Sequence, residues 1–189
     1  MDVAIQSRIP THQGSVDLTN CFDRMSHGYT SLNIQQKGIS KNAAKLRFQT
    51  VQQLQVNVCT AHGDSTLKST DEQFENDPAK PFQGNLQGMT DSMDFWTGTN
   101  AEIFNAMKDL GHGVKYLCAI PGDNVSFLGF HFVDDSNQPI HVPDGDLFDL
   151  MLKAQDYMDD CNGFVKATGK AINTKKKFYW LIDFKWQNG

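Results

Sequence analysis

Cys21 and His131 are the two side chains whose types and settings best suit covalent chemistry. Cys21 lies in Leu18-Thr19-Asn20-Cys21-Phe22-Asp23-Arg24-Met25-Ser26, where Leu18, Phe22 and Met25 share a face at helical spacing. With Asp17 or Thr19 as cap, the spacing predicts a short helix ended by Gly28, with Cys21 in its first turn. There the unsatisfied backbone N–H groups and the helix dipole favour a thiolate, with Arg24 assisting and Asp17 and Asp23 opposing. A thiol nucleophile needs a base, and His131 is the best placed imidazole, in Phe127-Leu128-Gly129-Phe130-His131-Phe132-Val133 on a predicted strand. The same residues suit a plainer role, a core thiol among Leu18, Phe22 and Met25 and a buried imidazole between phenylalanines. What orients His131 depends on strand register. A loop over 134–137 sets it opposite Ile140, and a turn at Ser136-Asn137 sets it opposite Val142.

A Cys at a helix start with a His on a later antiparallel strand is also the chain order of papain-like hydrolases. Cys21-Phe22-Asp23-Arg24-Met25-Ser26 resembles the C-x-x-R-M-S around the nucleophile of type VI secretion amidase effectors, Cys–His enzymes that cleave peptidoglycan. In that family a later strand carries the His directly after a Gly, whereas Phe130 separates Gly129 from His131 here. The resemblance is confined to the neighbourhoods of Cys21 and His131. It implies a peptidoglycan amide as substrate.

Other motifs carry less chemistry. Cys59-Thr60-Ala61-His62 has C-x-x-H spacing with Asp64 close by, but a structural zinc needs four ligands and the sequence offers no second close pair. Asp134-Asp135-Ser136-Asn137 and Asp144-Gly145-Asp146 do not fit the calcium loop, and turn and cap chemistry accounts for them. No Gly-rich phosphate cradle appears, so the expectation is no metal and no cofactor. Lys175-Lys176-Lys177 runs into Phe178-Tyr179-Trp180, a combination that can stack bases. The alternation of Phe178, Trp180, Ile182, Phe184 and Trp186 equally suits a core strand after a solvated turn.

These side chains need a scaffold. Residues 1–16 read as an arm or a first edge strand, and 43–59 as strand parity broken at Val51, firmest over 53–59. Residues 60–94 read as a long polar loop or lid. Thr99-Asn100-Ala101-Glu102 reads as a capping box for a helix through Leu110, stopped by Gly111 and Gly113. Strands follow at 114–120, 125–133 and 138–142 through turns at Pro121–Asn124 and Asp134–Asn137. A helix over 147–160 carries Leu147, Met151, Ala154 and Met158 on one stripe and closes at Asn162-Gly163. The sum is one α+β domain over 1–189, a mainly antiparallel sheet of about five strands with three or four helices.

Composition bounds the rest. The chain has 189 residues, 39% apolar and 11% aromatic, too greasy for disorder and without an apolar run long enough to span a membrane. Net charge is −5, which argues against a general nucleic-acid binder. The charge is segregated: net +3 over 1–63, −13 over 64–161 and +5 over 162–189. Cys21, Cys59, Cys118 and Cys161 have no tight spacing, and the start lacks a signal-peptide pattern. Reduced thiols follow, in a cytoplasmic protein or one exported without a cleavable signal. The functional expectation is a non-catalytic, partner-binding or assembly protein with a protein partner, such as a component of a phage or bacterial secretion system, nucleic acid being disfavoured. The alternative is a papain-like cysteine hydrolase using Cys21 and His131.

Overall fold

The computed structural model describes residues 8–19, 21–54, 56–68, 84–85, 88–117, 124–143 and 145–184. Eight strands and four helices are described: β1 (Thr11–Asp17), α1 (His27–Gln36), α2 (Lys41–Gln52), β2 (Asn57–Thr60), β3 (Gly63–Lys68), α3 (Ser92–Asp109), β4 (Val114–Leu117), β5 (Asn124–Phe127), β6 (Phe130–Phe132), β7 (Asp135–His141), α4 (Leu147–Ala167) and β8 (Phe178–Ile182). Every strand pairing among the described residues is antiparallel, and the protein is α+β. The chain divides into two compact units, one from residues 1–21 and 99–189, the other from 22–98.

The first unit is built on a four-stranded sheet in the order β6-β7-β1-β8. β1 is therefore an inner strand, not the edge strand or arm expected. Its positions lie opposite both β7 (Thr11 to His141) and β8 (Thr11 to Ile182). Cross-strand register puts His12, Gly14 and Val16 on one face with Ile140, Gln138, Tyr179 and Leu181. α4 packs on β1 and β7, burying Leu150, Ala154, Tyr157, Cys161 and Val165. Asp146 caps it in a reciprocal capping box with Asp149. The helix runs through Asn162 and Gly163 to Ala167, past the stop read from sequence, because Cys161 and Val165 continue the buried stripe. That stripe shares only Ala154 with the expected Leu147, Met151, Ala154 and Met158: Leu147 and Met151 are exposed. The β4–β5 hairpin meets β7, where the Lys115 N–H donates to His141 Nε2 at 3.1 Å and Tyr116 sets its ring edge-on to His141.

The single strand expected at 125–133 is two strands. Gly129 between them has φ +156°, and a Cβ there would lie 2.5 Å from the Asn137 carbonyl oxygen. β6 then pairs with β7 through a turn at Val133-Asp134, with Val133 itself at φ 55°. His131 faces Ser136, so neither register expected from sequence holds.

The second unit packs α1 and α2 around Ile34, Ala44 and Phe48, with Phe95 of α3 against them. Ser26 caps α1 and Ser40 caps α2. Arg47 donates to Asp91 from Nε and Nη2 and lies over the Phe95 ring, holding the Asp91 carboxyl below its usual range. Residues 41–52 are helix, so strand in this region begins only at Asn57. The stretch expected to be a polar loop over 60–94 contains β3 and the start of α3, while residues 69–83 lie outside the described residues. α3 begins at Ser92, so the Thr99–Glu102 box is helix interior. Thr99 and Asn100 are buried there rather than capping. No described helix is long and apolar enough to cross a membrane.

Candidate functional site

Cys21 is not at a helix start. β1 ends at Asp17, residues 21–24 form a turn, and α1 begins at His27, beyond the thiol. The dipole that was expected to acidify Cys21 is therefore absent from its position, and the side chain is 7% exposed. His131 sits on β6, where its Nε2–H donates to the Val133 carbonyl at 2.6 Å, fixing the tautomer. Phe104 meets the ring edge-on at 5.9 Å. Burial first, then the charge of Lys170, lower the pKa of His131 against the opposing pull of the Val133 carbonyl, Asp134 and Asp135.

Lys170 is the ionisable group the sequence reading overlooked. It is 3% exposed, and its ammonium donates to Asn100 Oδ1 at 3.4 Å. Burial pushes its pKa down to about 7, with Cys21 pulling it back up. Cys21, Lys170, Asn100 and His131 thus belong to the interior of one unit, with Lys170 electrostatically felt by His131 and itself feeling Cys21.

The C-x-x-H segment forms the tight β2–β3 hairpin, with Cys59 opposite Asp64. The Asp64 carboxylate hydrogen-bonds the Cys59 thiol and raises its pKa, opposite to what a ligand thiolate requires. Among the described residues no three His, Cys, Asp or Glu side chains gather as a metal site. Cys21, Cys59 and Cys161 are thiols, and Cys118 lies outside the described residues.

The surface feature is β8. As the sheet's edge strand it exposes Phe178, Tyr179, Trp180 and Leu181 in succession, so both its faces carry accessible aromatic surface. The core role expected from alternation fails over these residues, because among the described residues none buries Phe178, Tyr179, Trp180 or Leu181. Phe178 and Trp180 meet edge-on at 5.0 Å on one face, and Tyr179 stacks on His12 of β1 at 5.0 Å on the other. Lys175, Lys176 and Lys177 lead into the strand, all exposed, with Lys176 3.4 Å from Asp17. Beneath Tyr179, between β1, β8 and α4, opens a cleft of about 480 Å³ whose lining includes His12, Gly14, Met158, Asp159 and Lys177. Neither Cys21 nor His131 lines it. The lysine-aromatic run was visible in the sequence; His12 and Gly14, far away along the chain, carried no such mark.

No protein-family model and no curated protein matches the sequence. Solved structures do match in fold. Telomerase from Candida tropicalis in complex with the TWJ fragment of telomeric RNA aligns with 95% of this chain at TM-score 0.59 and 14% identity. Telomerase from Candida albicans in complex with the TWJ fragment aligns with 94% at TM-score 0.57 and 12% identity. Apo telomerase from Candida tropicalis, truncated from its C-terminal domain, aligns with 99% at TM-score 0.56 and 14% identity. This chain spans 27%, 27% and 34% of those chains, about a third or less of each. At such identity the likeness is one of fold. It overturns the expectation of a phage or secretion component and that of a papain-like hydrolase, because the architecture is shared with part of telomerase instead. The case against nucleic acid falls with them, since net charge is an average that conceals three lysines leading into the aromatic β8.

Proposed function

We propose that this chain is a binding module for single-stranded RNA, with β8 as its contact strand. The observation that carries the reading is the exposed run Phe178-Tyr179-Trp180 directly after three exposed lysines, on a fold that two RNA-bound telomerase chains share. Each part has a physical role. Aromatic faces stack unpaired bases without regard to sequence, at about 1–3 kcal/mol per base. Lysine ammonium groups neutralise the phosphates between them. Duplex RNA hides its bases from such a strand, so the single-stranded form is the ligand.

Fluorescence anisotropy of a labelled 12-nucleotide RNA against the whole chain tests this. Binding is expected for single-stranded RNA, weaker binding for the same sequence as a duplex, and loss on Trp180→Ala. A chain that leaves the anisotropy unchanged, or binds equally well without Trp180 and Tyr179, overturns the reading.

A further inference from the structure

We infer that the cleft between β8 and α4 seats one unstacked nucleobase of the bound strand, read by His12 and Asp159. This rests on the RNA reading of β8 and extends it from an open stacking surface to a defined pocket. The volume of about 480 Å³ lies within the range of small-ligand sites, roughly 300–1,000 Å³. The cleft continues directly from the aromatic strand, because Phe178 and Tyr179 line it as well.

One of its lining residues carries an unspent polar atom. His12 is 5% exposed, and its Nδ1 is buried with no hydrogen-bond partner among the described residues. Such an atom costs free energy unless something satisfies it. Burial lowers the pKa of the ring and so favours its neutral form, in which one nitrogen is a donor and the other an acceptor. Tyr179 stacks on the ring and fixes its plane. Gly14 adjoins the Nδ1–Cε1 side of the ring, where a Cβ would sit 3.9 Å from Nδ1 and 3.5 Å from Cε1.

The α4 wall selects the chemical class. Met151, Ala154 and Met158 offer soft apolar contact suited to a ring. Asp159 brings a carboxylate whose Oδ1 accepts from Gln155 Nε2 at 2.9 Å. A carboxylate repels phosphate and accepts from amino groups on a base edge. Lys177 at the rim suits the phosphate that stays outside. The occupant is therefore the heterocycle, and bases bearing an amino group (adenine, guanine, cytosine) are favoured over uracil.

Anisotropy with labelled 12-nucleotide RNAs, each carrying one abasic residue at a different position, tests the assignment on the whole chain. Gly14→Val and Met158→Trp plug the cleft from opposite walls and leave Trp180 and the lysines in place. At least one abasic position, and both plugs, are expected to weaken binding about tenfold. Both plugs are also expected to erase the preference against uracil, with circular dichroism unchanged. If Trp180→Ala weakens binding while both plugs and every abasic oligonucleotide leave it intact, the cleft assignment is overturned and the RNA reading stands. If wild type binds no RNA, the RNA reading fails, and CMP and GMP alone decide the cleft. A shifted His12 ring resonance that Gly14→Val abolishes upholds a free-nucleotide site. No shift, or a shift produced equally by inorganic phosphate, overturns it.

Discussion

His12 and Tyr179 stack across β1 and β8 with ring centroids 5.0 Å apart and 21° between their planes. The two are diagonal neighbours on one sheet face, since His12 lies opposite Leu181 and Tyr179 opposite Gly14. Tyr179 therefore has one ring face committed to protein. Tyr179→Ala is expected to weaken single-stranded RNA binding by roughly fivefold to a hundredfold, and Tyr179→Phe to keep most of it, because stacking needs the ring and not the hydroxyl. Equal losses in both variants would remove stacking as the cause.

The lysines are not equivalent. Lys176 lies 3.4 Å from Asp17, which also accepts from Asn173 Nδ2 at 3.0 Å, so its charge is partly answered within the protein. Each phosphate neutralised on a single strand adds about 0.7 to the slope of log affinity against log salt. Lys175→Gln with Lys177→Gln is expected to reduce the slope by about 1.4, and Lys176→Gln by less than either single change. A salt titration from 50 to 300 mM reads this directly.

Three histidines of the first unit, His12, His131 and His141, are held below the usual imidazole range, in each case chiefly by burial. The unfolded chain then binds protons that the folded chain refuses, and stability falls as pH drops below about 6.5 toward the lowered folded values. Urea melts at pH 7.5, 6.0 and 5.0 should show a falling midpoint. A midpoint that rises on acidification would contradict the burial of these rings.

Lys170 works on the other side of neutrality. Its folded pKa is about 7 and that of an unfolded lysine is about 10.4, so between them only the unfolded state holds the proton. Stability should rise from pH 7 to pH 9 on this account, and Lys170→Met should flatten the rise. Denaturation midpoints of the two proteins at both pH values check it.

Gly84 is a point of close approach in the second unit. Its φ is +85°, its carbonyl accepts from His27 Nε2 at 2.6 Å, and an added Cβ would lie 2.2 Å from the Asp23 carbonyl oxygen. Gly84→Ala is expected to cost about 3 kcal/mol, from backbone strain and forced displacement together. A thermal melt unchanged from wild type would show that the contact yields easily.

Periodicity made the fold class legible, and it located the starts of α4, β4 and β8 and the body of β7, while α4 runs on past its expected end to Ala167. It could not say which faces would be covered. β8 alternates like a core strand, yet at the sheet edge Phe178 through Leu181 are all exposed. Local capping chemistry misled in the same way. Thr99 and Glu102 spell a helix start, but the apolar face of α3 already begins near Phe95 and Trp96, and packing outweighs a cap. The turn that sets His131 was hidden because Val133, a β-branched residue, adopts a left-handed conformation that its type disfavours. The candidate cleft was least visible, since His12 and Tyr179 meet only through sheet pairing.

The sheet has a consequence for the order in which the molecule folds. Both strands that flank β1 come from far along the sequence, at residues 135–141 and 178–182. Until both have been made, Thr11–Asp17 has two unsatisfied hydrogen-bonding edges. Closing such long loops slows folding, so the sheet is expected to form after the local helices.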